Sequence, residues 1–208
     1  MAQQVITRIF SPHVIGWGFV GARTSASQTH REVASSLPFS IGFKNSTDGN
    51  IQQAIQAMTA ASSPHRFPCL NGNGELIALE SPGNPWTHVV LRGASVGPNY
   101  DPFTVAATAK QLKESNFNRR ILVDCSHGNC QRQADLQKAV FASLLDQFLQ
   151  GSPHLLGMML ESHLEEGAQT LSESPTTLQY GISVTDPCLG WHDTEHLIRD
   201  AFRQVSLI

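Results

Sequence analysis

Long apolar runs are absent from the 208 residues: LLGMML at 155–160 is typical of the longest, and a membrane-spanning helix needs about 20 residues. Near the N-terminus, VITRIF is interrupted by Arg8 and makes a poor signal-peptide core. Basic excess is missing too. With 14 Lys and Arg against 17 Asp and Glu, the formal net charge is −3, so no broad positive field invites nucleic acid. Any anionic ligand must be held by a few positioned Arg and Lys side chains. Cysteine is sparse, and Cys69, Cys125, Cys130 and Cys188 include no C-x-x-C pair. That spacing argues against a disulfide framework and for reduced thiols in a cytosolic compartment. No G-x-G-x-x-G follows a strand-like run and no Walker A loop occurs, which weighs against a doubly wound nucleotide-binding sheet. What remains is a soluble, cytoplasmic protein, long enough for one sizeable core, with neither nucleic acid nor membrane as partner.

Strand-like and helix-like segments alternate through most of the chain. Short β-rich runs occur at FSIGFK (39–44), HRFPCL (65–70), THVVLRG (87–93), RILVDCS (120–126) and LLGMMLES (155–162). Helical periodicity predicts a stripe of Ile51, Ala54, Ile55 and Met58 over 51–61, and one of Val105, Ala106, Ala109 and Leu112 over 103–113, after a helix start at Asp101-Pro102. Leu136, Val140, Leu144 and Phe148 recur every four residues in 131–150. A last helix is expected from Asp193, burying Leu197, Ile198, Ala201, Phe202 and Val205. The stretch NGNGELIALESPGNPWTHVVLRG reads as an inserted hairpin, its two β-like runs joined by a Pro/Gly/Asn turn. Alternation of this kind implies an α/β fold with parallel strands and right-handed crossovers, either a (β/α) barrel or a doubly wound sheet.

Strand after strand ends in a charged or metal-capable side chain. Arg23 follows WGFVGA, Lys44 closes IGFK, Arg92 closes VVLR, His127 follows VDCS and Glu161 closes GMMLE. Taken singly, each has an ordinary explanation: a hydrogen-bonded structural histidine, a solvated carboxylate, a surface ion pair. In a parallel sheet all such ends share one face, where barrel enzymes carry their active sites, so five coincident ends favour a site. Arg23, Lys44 and Arg92 suit phosphate and carboxylate. His127 and Glu161, with Asp186 of SVTDPCLGW as a third candidate, offer the nitrogen and oxygen donors usual for Mn, Fe, Co or Zn. Three protein ligands with open positions would describe a catalytic ion. The chemistry these residues suggest is a metal-assisted reaction of a small phosphorylated acid.

WGFVGARTSASQTHRE, IGFKNSTDG, THVVLRG with PNY after it, VDCSHGN, LESHLEEG and SVTDPCLGW occur in that order. Together they resemble the type I (microbial) 3-deoxy-D-arabino-heptulosonate 7-phosphate synthases over roughly residues 15–205, apart from the poorly matching segment 1–14. The resemblance implies a (β/α)8 TIM-type barrel, here incomplete, with about the last five β/α units and an inserted β-hairpin. It implies condensation of phosphoenolpyruvate with erythrose 4-phosphate, releasing phosphate, as the first step of the shikimate pathway, in a homo-oligomer. By that likeness Ala22, through its backbone, with Arg23, Lys44 and Arg92, would bind phosphoenolpyruvate. His127, Glu161 and Asp186 would be ligands of a divalent metal, and Lys44 and His127 would take catalytic roles, Lys44 in proton transfer. Cys125 would be packing, and Cys130 stands where a small polar residue is expected.

The chain also departs from the family pattern. A cysteine ligand at the end of the first barrel strand and a Lys-Pro-Arg-Thr clamp for the sugar phosphate do not occur, and the sequence starts near the fourth strand. GARTSAS replaces an expected threonine and glutamate, Ala168 an asparagine, and His192 an acidic residue. An open half-barrel would leave sheet edges unpaired. Three readings follow: a member of this synthase family carrying most of the phosphoenolpyruvate and metal site; a truncated, non-catalytic remnant that needs a separate N-terminal half or only binds ligand; or another metal-dependent phosphosugar aldolase.

Overall fold

The computed structural model describes residues 15–118, 120–171 and 174–207, so the segment 1–14 lies outside the described residues. The chain divides into two compact units, one of residues 15–90 and 111–118, the other of 91–110 and the described residues from 120 onward.

The first unit contains β1 (Trp17–Val20), α1 (Gln28–Ser35), β2 (Ser40–Lys44), α2 (Ile51–Ala61), the strands β3 (His65–Leu70) and β4 (Leu76–Ser81), and β5 (Thr87–Leu91), whose last residue falls in the second unit. β1, β2 and β5 pair in parallel, with Trp17 opposite Ser40, Ile41 opposite Thr87 and Lys44 opposite Val90. Because successive side chains in a strand point to opposite faces, the register sorts the residues. Ile41, Phe43 and Val89 are buried on one face, and α2 packs on β2. The other face carries Trp17, Phe19, Gly42, Lys44, His88 and Val90. Gly42 is required there: a Cβ would stand 2.5 Å from Val90 Cγ2 and 3.0 Å from His88 Nε2. On α2 the expected stripe is buried at Ala54, Ile55 and Met58, joined by Ala57 and Ala61.

The hairpin differs from the expected one. LIALES turns back onto HRFPCL, not forward onto THVVL, so β3 and β4 are antiparallel, with His65 opposite Ser81 and Leu70 opposite Leu76. The turn decides this. Asn71 Oδ1 accepts the N–H groups of Asn73 (2.9 Å) and Glu75 (3.0 Å), and Gly74 supplies φ +81°. β5, with His88 to Leu91 buried, joins the parallel strands instead.

In the second unit β6 (Ile121–Asp124) and β7 (Leu155–Met159) pair in parallel, with Asp124 opposite Met159. Between them lies α4 (Leu136–Leu149), and α5 (Trp191–Val205) follows. The helix α3 (Pro102–Glu114), whose last four residues fall in the first unit, starts where expected. Asp101 caps it by accepting the N–H and hydroxyl of Thr104 at 2.9 and 2.6 Å. Its stripe keeps Val105, Ala109 and Leu112, but Thr108 replaces Ala106 in the interior. The buried face of α4 is rotated from the expected one: Gln137, Val140, Phe141, Leu144 and Leu145 are buried, while Leu136 and Phe148 are exposed. α5 begins at Trp191, two residues before Asp193, and buries Thr194, whereas Ile198, Phe202 and Val205 are 52%, 72% and 39% exposed. Periodicity marks which face of a helix is apolar; it does not supply a cover, and the principal neighbour of α5 among the described residues is α4. The architecture is mixed α/β with parallel strands and an antiparallel hairpin.

Candidate functional site

The end of β6 is built around Asp124, which is fully buried. Its Oδ1 accepts the N–H (2.9 Å) and hydroxyl (2.6 Å) of Ser126, and its Oδ2 lies 3.0 Å from His127 Nδ1. A buried carboxylate against Nδ1 fixes the imidazole with that nitrogen as donor and Nε2 as the free acceptor. His127 adopts φ +57°, a left-handed conformation uncommon outside glycine, and Gln131 and Arg132 in the same loop share it at +54° and +58°. The sharp loop turns the ring back over the strand end.

Two carboxylates meet the exposed edge of that ring. Glu161 Oε1 and Asp186 Oδ2 each stand 3.5 Å from His127 Nε2. Glu161, two residues past β7, is held through its backbone: Gln137 of α4, fully buried, accepts its N–H at 2.9 Å and donates to its carbonyl at 3.2 Å. Leu189 N–H adds a 2.9 Å bond to the same carbonyl. This is why Gln137 displaces an apolar residue from the interior of α4. Asp186 lies in a segment tied down by reciprocal Gly167–Cys188 backbone bonds of 2.9 and 3.1 Å and by Gln169 N–H to Ser183 O at 2.7 Å. Arg132 Nη1 donates to Asp186 Oδ1 at 3.2 Å, leaving Oδ2 for the histidine side.

Two carboxylate oxygens beside one imidazole nitrogen make a place where a cation could be held. Both oxygens stand 3.5 Å from Nε2, close enough for one ion to be shared between the imidazole and a carboxylate. The candidate ligand atoms that lie within 4.8 Å of one another belong to Asp124, His127 and Glu161; of these, Asp124 is engaged with Nδ1 and orients the ring. The donor set of one imidazole and nearby carboxylates, His127 and Glu161 with Asp186 beside Nε2, could hold a divalent ion. A second acidic group, Asp135, Glu166 and Asp193, already has a cation: Lys138 Nζ lies 2.8 Å from Asp135 and 2.6 Å from Asp193.

Cys125 and Cys130 are buried, at 0% and 2% exposure. Burial pushes both thiols up, with the charge of Asp124 adding to the effect at each. Burial also raises Cys188. Thiolates are disfavoured at all three.

The remaining residues expected in the site are placed as follows. Arg92, 5% exposed, follows β5, and its carbonyl accepts Gly128 N–H at 3.1 Å, so its loop adjoins that of His127. In the first unit Lys44, 3% exposed, ends β2 with Nζ 4.4 Å from the centre of the Phe19 ring. Ala22 and exposed Arg23 lie in the turn after β1, where Gly21 O accepts the N–H groups of Thr24 and Ser25, both at 3.0 Å. Ala22 O accepts the Ser25 hydroxyl at 3.3 Å. Sequence reasoning missed Asp124, Gln137 and Arg132 as supports. For Asp124 a signal existed: an aspartate three residues before a candidate metal-binding histidine, closing an apolar strand.

Comparisons with known proteins converge on one group. A family model described as the DAHP synthetase I family matches residues 4–199. The chain is 42% identical over 200 residues to the Tyr-sensitive phospho-2-dehydro-3-deoxyheptonate aldolase of Salmonella typhimurium, covering 94% of this chain and 56% of that protein. It is 43% identical over 200 residues to the protein of the same name from Enterobacter agglomerans, covering 93% of that sequence. The solved phospho-2-dehydro-3-deoxyheptonate aldolase of Francisella tularensis superposes with a TM-score of 0.86 at 38% identity, over 94% of this chain and 56% of that one. The chain thus spans little more than half the length of the Salmonella relative and of the solved structure.

Proposed function

Because the chain belongs to the DAHP synthetase I family, we propose that it carries out, or carries the phosphoenolpyruvate- and metal-binding part of, the condensation of phosphoenolpyruvate with erythrose 4-phosphate. The product is 3-deoxy-D-arabino-heptulosonate 7-phosphate, the entry to the shikimate pathway. Phospho-2-dehydro-3-deoxyheptonate aldolase is the name its relatives bear. A (β/α) barrel of which this chain supplies the later units, as one domain over 15–208, belongs to the same reading, as do the homo-oligomer and the cytoplasmic location. No described helix is long and apolar enough to cross a membrane.

The observation that carries the proposal is the pair of carboxylates 3.5 Å from His127 Nε2, with Nδ1 held by buried Asp124. His127, Glu161 and Asp186 would hold a divalent ion, Mn, Fe, Co or Zn, which when bound supplies Lewis-acid polarisation of an aldehyde oxygen or a positioned water. The chain's own residues do the rest. Arg23, Lys44, Arg92 and the Ala22 backbone bind the phosphate and carboxylate of phosphoenolpyruvate, Arg as a planar fork and Lys as a point charge. Holding both anionic groups fixes C3 for attack on the aldehyde carbon, and such positioning accounts for several kcal/mol of barrier. Water then adds at C2 and phosphate leaves. Lys44, next to the anion, moves a proton.

The test is phosphate release from phosphoenolpyruvate and erythrose 4-phosphate with Mn²⁺, by wild type and His127→Ala. Turnover lost in the variant supports the full reaction. A folded wild-type chain that binds phosphoenolpyruvate and Mn²⁺ without turnover restricts the proposal to binding, with the catalytic complement residing in the portion of the relatives that this chain does not span. A chain that binds neither refutes it.

A further inference from the structure

We propose that Asn129, acting with Asn99, is a positioning residue that couples anion binding at Arg92 to metal binding at His127. The inference rests on the function proposed above and concerns how its two parts communicate.

Asn129 follows His127 by two residues and is 4% exposed. Its Nδ2 donates to Leu91 O (3.3 Å) and Asp124 O (2.8 Å), and its Oδ1 accepts the N–H of Asn99 at 2.8 Å. Asn99, 8% exposed, accepts Gly93 N–H on its own Oδ1 at 2.7 Å. Gly128 N–H donates to Arg92 O at 3.1 Å. The backbone on both sides of Arg92 is therefore bonded, through one amide side chain and its relay, to the backbone on both sides of His127. Both amide protons and the carbonyl of Asn129 are used, a pattern that aspartate or serine could not reproduce.

The two loops also touch with no side chain between them. Gly93 has φ +73°, and a Cβ there would lie 2.4 Å from Asn129 N and from Gly128 C. A Cβ on Gly128 would lie 2.6 Å from Ala94 N. Packed backbones of this kind shift together or not at all, because neither has a flexible side chain to absorb a displacement. An anion that draws on Arg92 thus biases the loop that holds His127 in its left-handed conformation, and by linkage an ion on His127 biases Arg92 to the same degree.

The test is Mn²⁺ titration by calorimetry of the 208-residue chain, with and without saturating phosphoenolpyruvate. Coupling predicts that phosphoenolpyruvate tightens Mn²⁺ binding of the wild type by about fivefold or more. In Asn129→Ala and Asn99→Ala, checked for native circular dichroism, the ratio falls to within about twofold of one on the same scale. Should Asn129→Ala fail to fold, Asn99→Ala decides, since it removes the acceptor of Gly93 N–H and leaves the Asn129 side chain in place. Folded variants that keep the wild-type ratio overturn the inference and leave the proposed function standing. So does a wild type that binds both ligands independently. A wild type that binds neither overturns the function and the coupling together.

Discussion

His88 shows how much a single side chain can report. An indole N–H can only donate, so the 3.0 Å contact from Trp17 Nε1 makes His88 Nε2 an acceptor and leaves the proton on Nδ1, 3.4 Å from the Ser40 hydroxyl. Protonating Nε2 would set two donors face to face in a site 6% exposed. Burial accordingly pushes the His88 pKa down to about 4, against a smaller opposing effect of a backbone hydrogen bond with Trp86. The unfolded chain takes up this proton near pH 6.5 and the folded chain only near 4, so stability is whole above about 6.5 and falls with pH between those values. The loss at pH 4 is on the order of 3 kcal/mol. Urea midpoints at pH 7.5 and 5.0 should differ in that direction, and His88→Gln should flatten the difference. A wild-type midpoint unchanged down to pH 5 would show that burial does not oppose the charge.

Among the elements, α4 does more than cover β7. Gln137 spends a buried position on the backbone of Glu161. Gln137→Leu keeps the volume and strands the Glu161 N–H, at a cost of about 1–3 kcal/mol. Displacing the carboxylate should also weaken Mn²⁺ binding by about tenfold or more. Calorimetry and denaturation of the same variant read the two effects; a loss of stability with unchanged affinity would make Gln137 a matter of packing alone. Nothing in a single sequence marks such a clamp, since a glutamine amid leucines looks like surface. Other elements were legible to different degrees. Strands ending at Lys44, Arg92 and His127 declared themselves by an apolar run stopping at a charge or a histidine. The hairpin partner did not, because LIALES is flanked by turn residues on both sides, and the Asn71 side chain that settles the choice acts only once the turn has closed. Helix α1 was missed because only Ala34 and Ser35 are buried in it, too few to print a stripe. The approach of Glu161 to His127 could be anticipated from strand-end position and Asp124 from its place closing the apolar run, whereas Asp186 was a candidate from a loop and Gln137 and Asn129 became visible only as hydrogen bonds.

For the molecule as a whole, the three proposed ligands lie at 127, 161 and 186, separated by 34 and 25 residues of the second unit. An ion joining them is a removable cross-link that closes two loops of the chain. In polymer terms it lowers the number of conformations open to the segment from 161 to 190 without adding an apolar contact, and loops of this length gain most from such closure. Backbone amides there, Gly167, Gln169 and Cys188 among them, should exchange with deuterium more slowly as Mn²⁺ is added, by a protection approaching 100-fold at about 100 times the dissociation constant. Amides of β1 and β2 in the first unit should be indifferent to it. Equal slowing in both units would mean that the ion is felt globally, and the cross-link would then have to be sought over a longer stretch of chain than 127–186.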